Sequence, residues 1–364
     1  MEKFTLDFEA IAFTSDNIGF ASAYEFNGLY KVDIASEECE FISIFSQEKL
    51  DGKRIHCTAK YIMGKVYFIP ASGKFISIYN IEKNELIQIE IPECKEMPAF
   101  YKKRYRFING VLNGENLWLV PSTYPGIVQL NLISNKMTIY DQWVPKEGYF
   151  FRNSLCVKNS TFYIANGNGN MVLAFNMENA QASIYHIGKN NVGIMSMCME
   201  QNNMWMAPRL KGPIIRWNIQ SNEVKEYFLY LNAFTADKIY FSKVFRYENR
   251  IYFIPAGGNH AVIVSLEDDS ETMMDDEKWK IQKNSMIEYM FETEKALFFR
   301  EKSELQSANR YVKISKEDVS VSDYLFTVSE TGSQKEHYRK KVDEGNTINE
   351  NEVFNLYDFI DNIK

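Results

Sequence analysis

The sequence predicts an all-β chain folded as a seven-bladed β-propeller, and three observations carry that prediction. One strand-turn-strand pattern recurs about seven times between residues 4 and 328. The copies are spaced as four-stranded blades are. The chain is also rich in residues that favour strands: 22 Tyr, 26 Phe and many Ile and Val, which suit a pleated, half-buried surface better than a helix.

The repeat is a short apolar strand ending in a small or turn residue, a polar turn, and a second strand closing on an Asn-hydrophobic pair. Its clearest copies are KVYFIPAS from Lys65 with YNI at Tyr79–Ile81, and NLWLVPST from Asn116 with LNL at Leu130–Leu132. TFYIANG from Thr161 leads to FNM, NMWMAPR from Asn203 to WNI, and RIYFIPAGG from Arg250 to VSL. Two fainter copies flank these, NIGFASA from Asn17 with KVDI and ALFFREK from Ala296 with VKI. With Gly19, Tyr67, Trp118, Phe162, Trp205, Tyr252 and Leu297 as equivalents, the steps are 48, 51, 44, 43, 47 and 45 residues. The FIP, LVP and MAP runs read as strands buried between neighbouring blades. A Pro at a strand end sits where its missing N–H costs little. Asp33, Asn80, Asn131, Asn176 and Asn218 precede polar turns, where short polar side chains bond nearby backbone. Seven blades is the count the spacing favours, with six and eight as its neighbours.

This reading makes residues 1–328 the propeller and 329–364 a polar linker with a C-terminal amphipathic helix. In that tail Val353, Leu356, Phe359, Ile360 and Ile363 fall near helical spacing. Packing on the rim, or holding a partner, would suit such a helix. The net charge of −7 argues against a general nucleic-acid binder or a protein docked on anionic lipid. Cys39, Cys57, Cys94, Cys156 and Cys198 are scattered without a CxxC pair, which reads as reduced thiols and not as a disulfide framework or zinc site. With no apolar leader in MEKFTLDFEA and no long apolar run, the expected location is cytoplasmic, without a membrane span.

The texture of these turns and strands is similar to that of streptogramin-lyase-like and NHL-type propellers. WD40 signatures and a consistent double-Gly Kelch pattern are absent from the sequence. Resemblance to streptogramin lyases would imply a pair of His with a Glu and Mg on neighbouring blades. No second His accompanies His260 on the fifth or seventh copy and no matching Glu stands out, so that catalytic set does not carry over and no metal or cofactor is expected.

Propeller ligands usually sit over the channel mouth formed by the loops that link blades and those joining second to third strands. The register puts Arg54, His56, Arg104, Arg106, Arg152, Arg209, Lys243, His260 and Arg300 there, with few acids, while most Glu and Asp collect on the opposite face. YKKRYRF (Tyr101–Phe107) and GYFFRNS (Gly148–Ser154) mix cations with aromatics. Arg104, Arg106 and Arg152 could hold a carboxylate or phosphate bidentately, and Tyr124 and Tyr149 could stack on a ring. The expectation is therefore a binding propeller for an anionic glycan, metabolite or protein segment, with Arg54, Arg209 and Lys243 completing the site. The alternatives are a lyase or hydrolase of an anionic sugar-containing substrate, using His260 or His56 as base, and a protein-protein scaffold. The glycines around Gly167 and Gly169 lead into a strand, not a helix, and read as tight turns rather than a phosphate loop.

Overall fold

The computed structural model describes residues 4–50, 52–93, 106–142, 150–188, 192–228, 241–256, 261–274, 285–303, 310–317 and 320–328. The tail that sequence periodicity assigned to a helix, with Val353 to Ile363, lies outside them. All regular structure among the described residues is β, and it forms the seven-bladed propeller.

After a short β1 (Phe4–Thr5), the first blade is β2 (Phe8–Phe13), β3 (Ile18–Ala23), β4 (Leu29–Asp33) and β5 (Glu38–Ser43). The second holds β6 (His56–Ile62), β7 (Lys65–Pro70), β8 (Phe75–Asn80) and β9 (Glu85–Glu90), and the third β10 (Phe107–Asn113), β11 (Asn116–Pro121), β12 (Ile127–Asn131) and β13 (Met137–Tyr140). The fourth comprises β14 (Phe150–Lys158), β15 (Thr161–Asn166), β16 (Met171–Asn176) and β17 (Gln181–His186), and the fifth β18 (Ile194–Glu200), β19 (Asn203–Pro208), β20 (Ile214–Asn218) and β21 (Val224–Tyr227). The sixth has β22 (Phe241–Tyr247), β23 (Arg250–Pro255), β24 (Ala261–Ser265) and β25 (Glu271–Met274). The seventh has β26 (Ser285–Glu292), β27 (Ala296–Ser303), β28 (Arg310–Ser315) and β29 (Val321–Asp323), before a final β30 (Thr327–Val328). Six of the seven sheets run in chain order, and in the first blade the four strands β2 to β5 do so as well, so the four strands of every blade come from one contiguous segment. All seven residues taken as equivalent in the sequence fall in second strands.

The turn chemistry repeats blade by blade. The side-chain oxygens of Asp33, Asn80, Asn131, Asn176 and Asn218 each accept a backbone N–H two or three residues on, at 2.8–3.1 Å for the shortest bond in each turn. Ser265 and Ser315 take that role in the sixth and seventh blades, at 3.3 Å each. The residue after this position donates its N–H back to the first hairpin of its own blade in all seven copies, from Ile34 to Asn17 through Lys316 to Lys295. A short polar acceptor at the end of the third strand thus ties the two turns of each blade together.

The chain divides into two compact units: Met1–Gly110 with Leu119–Tyr124 and Tyr324–Lys364, and Val111–Trp118 with Pro125–Asp323. In the first unit β2 lies against β6; in the second β14 lies against β18, β18 against β22 and β22 against β26. First strands therefore form the inside of the blades, and among the described residues their inner edges pair with no further strand. Side chains satisfy part of that edge. In the second unit Ser196 Oγ accepts the Val244 N–H at 2.9 Å, Ser242 Oγ accepts the Tyr289 N–H at 3.0 Å, and Asn153 Nδ2 donates to the Ser242 carbonyl at 2.9 Å. A register shift recurs near the start of these strands, at Phe8/Ala10, His56/Thr58, Ile194/Ser196 and Phe241/Lys243, placing Glu9, Cys57, Met195 and Ser242 at bulges that re-aim the inner strand.

The first and last described strands close on the first blade. β30 pairs parallel with β5 (Thr327 with Glu38, Val328 with Cys39), and β1 pairs antiparallel with β30. The seventh blade is complete without the N-terminus, and the first is a six-stranded sheet ordered β1-β30-β5-β4-β3-β2.

Candidate functional site

Arg54 and Arg106 occupy the same place in successive blades of the first unit. Each donates its N–H to the carbonyl of the residue just after the second strand of the preceding blade: Arg54 to Tyr24 at 2.7 Å, Arg106 to Ala71 at 2.8 Å. Their carbonyls also act alike. The Arg54 carbonyl accepts the Ser72 N–H at 3.1 Å, and that of Arg106 accepts the Ser122 N–H at 2.8 Å. Both side chains are half-buried, so they leave the backbone at one repeated position near the start of an inner strand.

Neither cation stands apart from acid. Glu9, buried on the bulge of β2, holds the Arg54 guanidinium through Nε and Nη2. Glu48 accepts N–H bonds from Lys74 at 2.7 Å and Phe75 at 3.0 Å. Burial pushes its carboxyl up, and those two bonds with the Arg106 charge offset part of the rise. In the second unit Arg300, almost wholly buried, donates to Glu288 at 2.7 Å, and Arg310 reaches the buried Glu301 at 3.4 Å. The loops alone suggested a face nearly without acids. The structure corrects this: Glu9 and Glu288, on strands, bond Arg54 and Arg300 directly, and Glu48, on a turn, interacts with the Arg106 charge.

Three residues expected at the ligand sit elsewhere. His56 is fully buried, hydrogen-bonded through Nδ1 to Ser22 Oγ at 2.9 Å and through Nε2 to Ser77 Oγ at 3.2 Å. The rings of Phe45 and Phe68 lie 4.4 and 5.4 Å away. Burial lowers its pKa to about 3, so it is a neutral core group joining first and second blades. Tyr124 is also fully buried, packed 4.8 Å from Phe107, with its hydroxyl donating to the Pro92 carbonyl at 2.7 Å. Its ring has no open face. Lys243 lies within β22 rather than in a loop. Its ammonium sits 4.3 Å from the Tyr289 ring and 3.6 Å from Glu292. Burial raises the Glu292 carboxyl, but Lys243 and Lys316 outweigh it and hold it below its ordinary value.

Arg209 stays at a loop, where it follows β19. Its Nη1 donates to Asn168 Oδ1 at 2.8 Å and approaches the Gly167 carbonyl at 3.4 Å. It thereby clamps the glycine-rich turn between β15 and β16. Gly193 adjoins this turn with φ +73°, and a Cβ there would lie 2.0 Å from the Gly167 oxygen. Only glycine fits, and the turn is packed backbone rather than a phosphate cradle. Arg104, Tyr149 and His260 lie outside the described residues, as does the side chain of Arg152, whose backbone belongs to β14 in the stretch where its pairing shifts register.

Among solved structures, the chain is similar to a streptogramin B lyase, with a TM-score of 0.59 and 13% identity, covering 82% of this chain and 93% of that one. It is similar to virginiamycin B lyase from Staphylococcus aureus, with a TM-score of 0.53 and 13% identity over 73% and 82% of the two chains. A third similar structure is the extracellular domain of a putative one-component system from B. thetaiotaomicron. There the TM-score is 0.54 and the identity 14%, over 88% of this chain and 39% of that one. At these identities the likeness shows the fold alone. No protein-family model matches the sequence, and no curated protein matches it.

Proposed function

We propose that this propeller binds an anionic ligand, a glycan, metabolite or protein segment, at the end of its second and third blades where Arg54 and Arg106 emerge. The observation that carries this is the repetition of arginine at one backbone position in consecutive blades, held by the same hydrogen bonds to the preceding blade. A guanidinium presents a planar fork matched to carboxylate and phosphate. Glu9 fixes the plane of the Arg54 fork, which lowers the ordering cost of a second contact, although the incoming anion must also compete with that carboxylate. Arg104, two residues before Arg106 in the sequence, extends the proposal to a third cation.

The test is thermal stabilisation of the full chain by uronates, sugar phosphates, nucleotide sugars and dicarboxylates, each beside a neutral analogue, at low and moderate salt. A specific site gives a shift that survives moderate salt and is absent with the neutral analogue. Arg106→Ala should then weaken affinity about tenfold to a hundredfold, the range for losing one hydrogen bond to a charged group, while leaving the unliganded melting temperature in place. Stabilisation by no anion, or undiminished affinity in an Arg104→Ala, Arg106→Ala variant, overturns the proposal.

A further inference from the structure

The outer edges of the blades differ in how they are protected. A sheet edge offers unpaired N–H and C=O groups to any further strand, and proteins blunt such edges with charge, shortness or a cover. The first blade has a cover, since β30 and β1 pair onto β5. The second carries Glu85 and Glu90 on β9, the fifth Lys225 and Glu226 on β21, the sixth Glu271 on β25 and the seventh Asp323 on β29. β13 of the third blade is uncharged but only four residues long and largely half-buried. Among the described residues, β17 of the fourth blade has none of these devices. Its six residues, QASIYH, include no Lys, Arg, Asp, Glu or Pro, and five of them are exposed. Ile184 is 52% exposed in the middle of the strand.

We infer that β17 is a self-association edge, at which a second copy of this chain adds its own β17 antiparallel about a two-fold axis. Two observations favour a second copy over another occupant. A chain of net charge −7 repels its copy wherever acids meet, and among the described outer strands β17 is the long one that meets its copy without charge. The first blade also shows that an outer edge of this propeller accepts further strands in regular pairing.

The hydrogen-bond phase fixes the register. Ile187 donates its N–H inward to the Asn170 carbonyl at 2.9 Å. Inward and outward groups alternate along an antiparallel strand, so Ala182, Ile184 and His186 direct their N–H and C=O groups outward. Of the two-fold arrangements that set outward groups against outward groups, the one centred on Ile184 pairs all three outward residues of β17. Ile184 faces Ile184 of the second copy, and Ala182 faces its His186, giving about six backbone hydrogen bonds. The contact also brings the two exposed isoleucines together. Being smaller than a standard interface, it should be weak and concentration-dependent.

Sedimentation velocity of the full chain over a concentration series tests this. The weight-average mass should rise from 42.5 kDa towards twice that value. Ile184→Pro removes an outward N–H and no bond within the blade, so it should leave a monomer with an unchanged melting temperature. Oxidised Ile184→Cys should cross-link as a disulfide dimer, because directly opposed hydrogen-bonded residues lie about 5.5 Å apart at Cα, within disulfide reach. Ser183→Cys, which faces Tyr185 of the second copy, should cross-link at least tenfold less. A chain that stays monomeric up to about 1 mM, where contacts even of roughly 4 kcal/mol become populated, overturns the inference. So does a dimer that survives Ile184→Pro, or cross-linking by Ser183→Cys in place of Ile184→Cys.

Discussion

The junction between the first and second blades and that between the fifth and sixth solve one packing problem with opposite polar devices. Both have an apolar floor: Ala10, Phe20, Phe45, Ala59 and Phe68 in one, and Trp205, Phe241, Val244, Phe253 and Val262 in the other. Across the first runs a buried, uncharged bridge, Ser22–His56–Ser77. The second is clasped near the surface by Asp269, which accepts from Arg216 at 2.6 Å, Lys225 at 2.8 Å and Tyr227 at 3.1 Å. Arg216 and Lys225 also lie over the Trp205 and Tyr227 rings. The difference lies in what solvent does. A neutral ring with both nitrogens bonded tolerates dry burial, whereas three donors on one carboxylate need its charge and so sit where water still reaches.

The largest effect should come from removing the floor beneath the clasp. Trp205 is fully buried, 5.4 Å from Tyr227 and 6.4 Å from Phe253. Trp205→Ala leaves a cavity and should cost about 3–5 kcal/mol in denaturant unfolding. A cost below about 1 kcal/mol would mean that the charged clasp, not the ring packing, holds this junction. The bridge at the other junction should show itself through pH. The unfolded chain protonates His56 near its ordinary 6.5, the folded one only near 3. Its contribution is complete above about pH 6.5 and is lost as pH falls towards 3, by about 1.4 kcal/mol per pH unit within that window. His56→Gln should flatten the unfolding free energy between pH 6 and 4 relative to wild type. Parallel pH curves for the two proteins would remove His56 as the source of acid sensitivity.

These junctions also show what could be read from sequence and what could not. The Asp and Asn ending the third strands of the first five blades were legible, because the turn needs a short acceptor at that one position. Ser315 was not, since the seventh copy reads in sequence as closing on VKI, whose last residue Ile314 precedes it. The second strands were legible as continuous apolar runs buried on both faces. His56 was misplaced because it begins β6, and a residue one step inside a strand reads in sequence like the last residue of a loop. Lys243 was assigned to a loop for the same reason, since β22 begins two residues before it. The bulge that aims Glu9 at Arg54 adds one residue to one strand, a change that no apolar pattern records. β1 and β30 are two residues each, too short for any periodicity, so closure at the first blade had no sequence signal. Which carboxylate meets which arginine depends on those irregularities, and the charge balance of the candidate site therefore stayed hidden.

The smallest effect should come from the clasp itself, and its pH window separates the two devices. Burial pushes the Asp269 carboxyl up, but the Lys225 bond, the Arg216 charge and the Tyr227 bond outweigh that and hold it below its ordinary value of 3.8. A depressed carboxylate stabilises the fold above its unfolded value and loses that contribution only as pH falls below it. Asp269 should therefore be silent between pH 6 and 4, where His56 acts, and should matter below about pH 4. With the side chain about a third exposed, solvent screening limits the whole contribution, and Asp269→Asn should cost about 1–2 kcal/mol at neutral pH. Unfolding measured on single and double variants at pH 7 and 4.5 sharpens the comparison. The Asp269→Asn cost should be equal at both pH values, the His56→Gln difference from wild type should change between them, and the double variant should be additive because the groups share no partner. A pH-dependent Asp269→Asn cost in that interval would show that the clasp is protonated along with the bridge, and the contrast between a dry neutral junction and a wet charged one would fail.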